Sequence, residues 1–551
     1  MTLIVYTLLL FLLVILFINV TATKKQKKLK TLIQNQWGKA KIGEPFNFDF
    51  IERYFVNNVK EKTCFHLISE SSIHDLDFHE IFKFIDRTTS KIGQQYLYYK
   101  LRNISSHKDL LIFNNLVTTF SKNNDLTLDC QIALQKLSGF KTYYLENLIS
   151  KQHPKKPTYF WAILLMALAP VFIMIISIIN IKCLLLLCPV FFINAVIHYK
   201  NKNDISSYLL GVAELNKAIS TAQLLSKRNE LSSHFSDFSF LNNLLKIRQR
   251  AILINLESQL EGEFMMIFWA ILELIKIIFN LESILFVSFV RLIVEQKESL
   301  RTLFEYIGEL DSAISVASLR NDSLPTCQPS FENTKTIQIK DLIHPLIVNC
   351  VPNSIDLKDK SMLLTGSNMS GKTTFIRTLS INSILAQTIF TCFATSYNAP
   401  FWKLYSSIRI TDSLADKTSY YLEEVLTIKE FIEASKEQGN CLFVLDEILK
   451  GTNTIERIST AKAILSFLNT TNHHVFVSTH DIELANLLQE KNYALYHFCE
   501  EVSENGVFFD HKLKIGELTK RNAISIMEYY DYPSEIITDA RNTEKTFFSK
   551  S

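Results

Sequence analysis

The chain is predicted to be a mixed protein: an α/β P-loop NTPase domain at the C-terminal end, an all-α helical region before it, and transmembrane helices at the N terminus and inside the chain. Three observations predict this. Short β-branched runs alternate with helical stretches beyond residue 323, the pattern of a mostly parallel sheet. A complete G-x-x-x-x-G-K-[ST] motif lies between one such run and a helical stretch. Apolar blocks free of charge recur along the chain.

Composition narrows the classes. With 551 residues, 58 basic against 55 acidic side chains and a net charge of +3, the chain is neither a basic nucleic-acid coat nor an acidic tail. A 48% apolar, 12% aromatic composition excludes a largely disordered chain. The nine cysteines form no C-x-x-C pair, which points to thiols in a reducing compartment rather than a zinc ribbon or disulfide framework.

From the N terminus, residues 1–23 carry no charge, and Leu3 to Val20 is long enough to cross a hydrocarbon core of about 30 Å. Lys24, Lys25, Lys27, Lys28 and Lys30 follow the run rather than precede it. That order predicts a retained anchor with a cytoplasmic basic flank, not a cleaved signal. A second block, 157–200, is uncharged from Pro157 to Ile181 and again from Cys183 to Tyr199, with Lys182 between and lysines at both outer ends. It reads as a membrane hairpin, its second arm at the lower length limit. Phe264 to Val294 is also apolar but carries Glu273, Lys276, Glu282 and Arg291. Such charges are costly in a bilayer, so a buried helix pair in the soluble part is expected.

Residues 31–150 and 201–320 are poor in Gly and Pro and repeat apolar positions at helical steps, as in Leu303, Ile307, Leu310 and Ile314. Asn321 to Pro329 marks a linker. The expected domains are therefore 1–23 (anchor), 24–156 and 201–322 (two parts of a helical region), 157–200 (hairpin) and 323–551 (α/β domain).

The chemistry lies in the last domain. Ser361 to Thr365 reads as a buried strand running into Gly366, Ser367, Asn368, Met369, Ser370, Gly371, Lys372 and Thr373, with Thr374 opening a helix. Backbone N–H groups of such a turn suit a polyphosphate. Lys372 would reach the β/γ-phosphates and the Thr373 hydroxyl would ligate Mg²⁺, so ATP and Mg²⁺ are the expected cofactors. Cys441 to Leu445 reads as a second strand ending at Asp446 and Glu447. Asp446 would hold the metal, and Glu447 would orient or deprotonate the attacking water. A third strand, Val475 to Ser478, leads to Thr479-His480, where His480 would sense or bridge to the γ-phosphate. Lys372, Glu447 and His480 are the expected catalytic residues.

Together these elements resemble the ATPase domain of the MutS family of mismatch-repair ATPases. Further segments are similar: His344-Pro345-Leu346, Val351-Pro352-Asn353, Ala386-Gln387, Arg409 to Glu423, and Gly451-Thr452-Asn453-Thr454 after the acidic pair. Asp86-Arg87-Thr88, Gly93, Leu97 and Glu309 to Arg320 look like pieces of that family's helical core and lever region. The resemblance implies a homodimer through the ATPase domain, with Ser419 reaching the partner's γ-phosphate, and coupling of ATP state to DNA binding. Two features depart from the family. Ser367 stands in place of a proline, and the N-terminal mismatch-reading domain is replaced by the anchor and a short helical stretch. Mismatch recognition thus rests on the likeness alone. The expected protein is multi-pass, with about three transmembrane helices and a cytoplasmic ATPase domain. The competing classes are an ATP-driven transporter subunit, for which Ser413-Leu414-Ala415-Asp416 replaces the L-S-G-G-Q signature, and a non-catalytic membrane tether binding DNA or a protein.

Overall fold

The computed structural model describes residues 2–58, 64–149, 158–254, 265–332, 334–367, 370–409, 420–469, 472–503, 506–518 and 523–548. The chain divides into two compact units. The first holds Met1–Val59, Asp86–Tyr99 and Ile112–Asn321, and the second Lys60–Ile85, Lys100–Leu111 and Asp322–Ser551. The linker read from the sequence coincides with the start of the last segment. Residues 60–85 and 100–111, grouped by the sequence reading with the helical region, pack in the unit that carries the P-loop.

The first unit is nearly all helical. Helix α1 spans Thr2–Gln36, past the expected anchor boundary at residue 23. The basic residues Lys151, Lys155 and Lys156, read as the entry to the hairpin, fall outside the described residues, as does Pro157. Helix α2 (Phe160–Ser177) and the stretch Ile181–Lys200 are both long and apolar enough to cross a membrane. The latter begins in a short 3₁₀ turn and runs into helix α3 (Leu187–Leu225). Trp161, Leu165, Leu168, Phe172 and Ile175 on α2 all face outward. A soluble surface rarely carries an apolar patch of that extent.

Helix α4 (Leu245–Ile254) carries Arg248, bonded to Gln223, and Arg250, bonded to Ser288. Helices α5 (Met265–Ile278) and α6 (Leu281–Glu295) are bent by 76° at a break where Asn280 adopts a left-handed conformation. The sequence reads this stretch as a pair buried in a soluble core. Phe286, Phe289 and Ile293 are buried, Ile271, Leu274, Ile275 and Val294 are exposed, and Glu273 and Glu282 are buried beside His198 of α3. The carboxylates are tolerated because they turn inward to polar partners. Asn194 braces the same region, donating to the carbonyls of Met166 (3.1 Å) and Ile278 (2.7 Å) and accepting from Asn280 (2.6 Å).

Helix α7 (Lys297–Leu319) is the spine of the first unit, buried almost continuously from Leu303 to Leu319. Its Asp311 caps the helix Lys91–Arg102, accepting from Thr89 N (2.8 Å), Ser90 N (2.7 Å) and Ser90 Oγ. A Cβ at Gly93 would lie 2.2 Å from that carboxylate, so only glycine admits the approach.

The second unit is built on a six-stranded sheet. In chain order its strands are β1 (Ser361–Thr365), β2 (Trp402–Ser407), β3 (Asn440–Asp446), β4 (His474–Thr479), β5 (Tyr493–His497) and β6 (Lys514–Ile515). Their spatial order is β6-β5-β1-β4-β3-β2, with β6 alone antiparallel. All residues of β1 and β4 are buried, as expected of central parallel strands covered on both faces. Helix α8 (Lys372–Ile389) follows β1. A four-stranded sheet of Ser330–Phe331, Ser396–Ala399, Thr336–Leu342 and Asn353–Lys358 adjoins it in the same unit. Because β1, β3 and β4 are adjacent and parallel, their C-terminal ends emerge side by side. Ligands bind at that edge of open α/β sheets.

Candidate functional site: a P-loop facing an acidic strand end

Strand β1 ends at Thr365 and the chain turns through Gly366 (φ 153°) into the loop. A Cβ on Gly366 would lie 2.8 Å from both the Phe498 carbonyl and Ser370 Oγ, which excludes any side chain. Gly371, with φ 113°, is the N-cap of α8, so the helix's unpaired N–H groups open onto the loop. Ser370 is buried and donates to the Ser367 carbonyl (2.8 Å). Asn368 and Met369 lie outside the described residues, as does the whole segment 410–419 with Ser419.

The side chains read from the sequence converge. Lys372 Nζ donates to the carbonyls of Gly366 and Ser367, each at 2.8 Å, and stands 3.4 Å from His480 Nε2. Burial pushes its ammonium down to about 8, against the opposing pull of Asp446, Glu447 and Glu500. Thr373 Oγ1 donates to Asp446 Oδ2 at 2.7 Å. This oxygen pair fits Mg²⁺, which takes one or two protein ligands and fills its shell with phosphate oxygens and water. Glu447 Oε1 is 2.8 Å from His480 Nε2, and Oε2 is 3.4 Å from Lys450 Nζ. The hydrogen bond from His480, reinforced by Lys450, holds the Glu447 carboxyl at about 2. Glu447 is itself in a left-handed conformation (φ 57°), fixed by its N–H bond to Ser478 O at 2.9 Å.

A cavity of about 450 Å³ opens here, lined among others by Ser367, Lys372, Thr373, Thr374, Glu447, Phe498 and His511. Its other wall is the turn Ile347 to Val351. Asn353, just beyond, ties that wall to the far end of the domain, donating to His511 O (3.0 Å) and accepting from Leu513 N (2.8 Å). His511 Nδ1 in turn contacts Ser370 O at 3.1 Å. A triphosphate-sized ligand fits the space, the donors and the oxygen pair.

Several participants escape a reading by motif. Ser478 on β4 donates to the second oxygen of Asp446. Ser367 donates to Glu500 at 2.5 Å, tying the loop to the strand Glu500–Ser503. Buried Glu424 accepts from Leu449 N, and Arg457 makes a two-bond pair with Asp481 (2.9 and 2.7 Å). Asp75 accepts from Ser406 Oγ (2.7 Å), Ile408 N (3.0 Å) and Arg409 N (2.7 Å), while Arg409 grips Asp77 at 2.6 and 2.8 Å. This clamp fixes the end of β2, from which segment 410–419 departs. Only the neighbouring pairs, such as Ser478 beside Thr479-His480, leave a trace in sequence. Asp75 lies over 300 positions from its partners and leaves none.

A parallel sheet with a glycine-framed loop, a helix N-terminus and an acidic strand end facing it defines a P-loop nucleotide-binding domain. Residues 362–547 match the family model MutS domain V. The chain is similar to the DNA mismatch repair protein MutS of Staphylococcus epidermidis, 30% identical over 282 residues, covering 49% of this chain and 32% of that protein. It is similarly related to the MutS proteins of Staphylococcus haemolyticus (30% over 276 residues) and Staphylococcus aureus (29% over 276 residues). The chain therefore spans about a third of the length of the curated relatives it matches.

Proposed function

We propose that this chain is a membrane-anchored, MutS-like ATPase that couples ATP binding and hydrolysis to DNA binding. The observation that carries the ATPase reading is that Lys372, Thr373 and Glu447 line one cavity while Asp446 bonds to Thr373 and His480 contacts both Glu447 and Lys372. Bound Mg²⁺ would neutralise charge on the β- and γ-phosphates. Thr373 and Asp446 would hold it. Lys372 would exchange its two loop carbonyls for phosphate oxygens. A carboxyl held near 2 is a weak base but a strong hydrogen-bond acceptor. Glu447 therefore suits orienting a water, with His480 as the group that shares its proton and faces the γ-phosphate.

The partners follow from the likeness. In a homodimer through this domain, Ser419 would complete the partner's site. DNA is the partner that the relatives' names state, and because the likeness covers only a third of their length, the proposal extends to DNA and not to mismatch specificity. The hairpin α2–α3 and the N-terminal helix supply the membrane attachment, with the nucleotide-binding domain cytoplasmic. The test is Mg²⁺-dependent ATP turnover by the full chain in lipid vesicles. Glu447→Gln should still bind ATP while losing turnover by about 10²–10⁴-fold; turnover that survives this change refutes the site. Gel shifts with homoduplex, mismatched and junction DNA at stated salt test the partner.

A further inference from the structure

Cys327 and Cys392 face each other as an antiparallel bridge, away from the nucleotide cavity. The N–H of Cys327 donates to Cys392 O at 2.9 Å and the N–H of Cys392 to Cys327 O at 3.0 Å. Such a hydrogen-bonded pair sets the Cα atoms about 5.5 Å apart, in the commonest range for a disulfide. The thiols are also hydrogen-bonded to each other. Their settings differ: Cys392 is fully buried and Cys327 is half-buried.

We propose that Cys327 and Cys392 form a reversible dithiol–disulfide pair, a modification site oxidised by a peroxide. The half-buried Cys327 thiolate attacks a peroxide oxygen and, as the O–O bond breaks, becomes a sulfenic acid, releasing water once a proton is taken up. The Cys392 sulfur then attacks Cys327 Sγ, its proton leaving with the expelled hydroxyl as a second water. Two electrons pass from the thiols to the peroxide, and one S–S bond forms. The hydrogen bond from Cys392 holds the Cys327 thiol below its ordinary range, whereas burial pushes Cys130 to about 12 and Cys441 to about 11. Thiolate character selects the attacking sulfur. The bond would join the linker at the start of the α/β segment to the chain just past α8, closing a loop that contains the whole P-loop. The proposal does not depend on ATP hydrolysis.

The test treats the full chain in detergent with hydrogen peroxide, alkylates the remaining thiols and maps peptides by mass spectrometry, with and without later dithiothreitol. The expected result is the loss of two of the nine thiols, a linked peptide pair holding Cys327 and Cys392, and its disappearance on reduction. Cys392→Ser should leave a sulfenic acid at Cys327 that dimedone traps. Cys327→Ser should leave Cys392 a thiol. Oxidation of Cys327 to sulfinic acid without the linked pair, or preferential linkage of either residue to another cysteine, overturns the proposal.

Discussion

His480 Nε2 lies between two opposite charges, 2.8 Å from Glu447 Oε1 and 3.4 Å from Lys372 Nζ. Three strand ends are thereby joined through one imidazole: β1 through its loop, β3 through Glu447 and β4 through His480 itself. A change in any one of these groups is felt by the other two.

Lys372→Ala removes the ammonium that the loop carbonyls now hold. A charge-assisted bond is worth about 1.5–3 kcal/mol, so ATP affinity should fall by roughly 10–100-fold, measured by calorimetric titration of the full chain. Unchanged affinity would refute the placement of phosphate at this loop.

The pH dependence of binding should reveal the same side chain. Because burial places the Lys372 ammonium near 8, the charged form prevails below that pH and is lost above it. ATP affinity should hold from pH 6 to 7 and drop by about tenfold per unit above about pH 8. Lys372→Arg, whose charge persists, should flatten that limb.

Glu447 supplies a stability signature of opposite sense. Its carboxyl is depressed from 4.5 to about 2 by His480. The stabilisation is therefore complete above about pH 4.5 and lost as the pH falls toward 2. Urea unfolding midpoints should decline over that window in the native chain and less steeply in Glu447→Gln.

Asp75→Ala deletes an acceptor serving three donors at the end of β2. Leaving buried donors unsatisfied costs about 1–3 kcal/mol each at most. A lower Tm is expected, together with faster amide exchange at Ile408 and Arg409. Asp77→Ala, at an exposed pair, should cost under about 1 kcal/mol.

Leu168→Arg combined with Ile175→Arg places two charges on the outward face of α2. At about 2.5–3.5 kcal/mol each in a bilayer, they should shift the full chain from the carbonate-resistant membrane fraction toward the soluble one. Retention equal to the native chain would argue against this hairpin as an anchor.

The legible parts of the molecule were those whose physics is local. Gly366 and Gly371 are dictated by close approach and backbone sign within a few residues, and the apolar runs before Asp446 and Thr479 announce central strands. The partners of the buried carboxylates of α5 and α6 are invisible to a reading by hydropathy. Glu273 and Glu282 look like charges that keep a helix in water, yet each finds His198 across a turn of chain that periodicity does not encode. Glu500 is likewise silent in sequence, since its partner Ser367 differs from it by 133 positions. Long-range polar pairing, not secondary structure, is what the string of residues conceals.

The clamp of Asp75 and Asp77 on Arg409 also bears on how the nucleotide-binding half can be isolated. A fragment cut at the linker near residue 322 would discard the two N-terminal excursions, strip β2 of its carboxylate staple and leave Leu404 O without His66, to which it is bonded at 2.7 Å. Such a truncation would be prone to clump at the bared rim of the sheet. Residues 60–85 and 100–111 have to be grafted back, by a short bridging loop, for an excised domain to remain soluble.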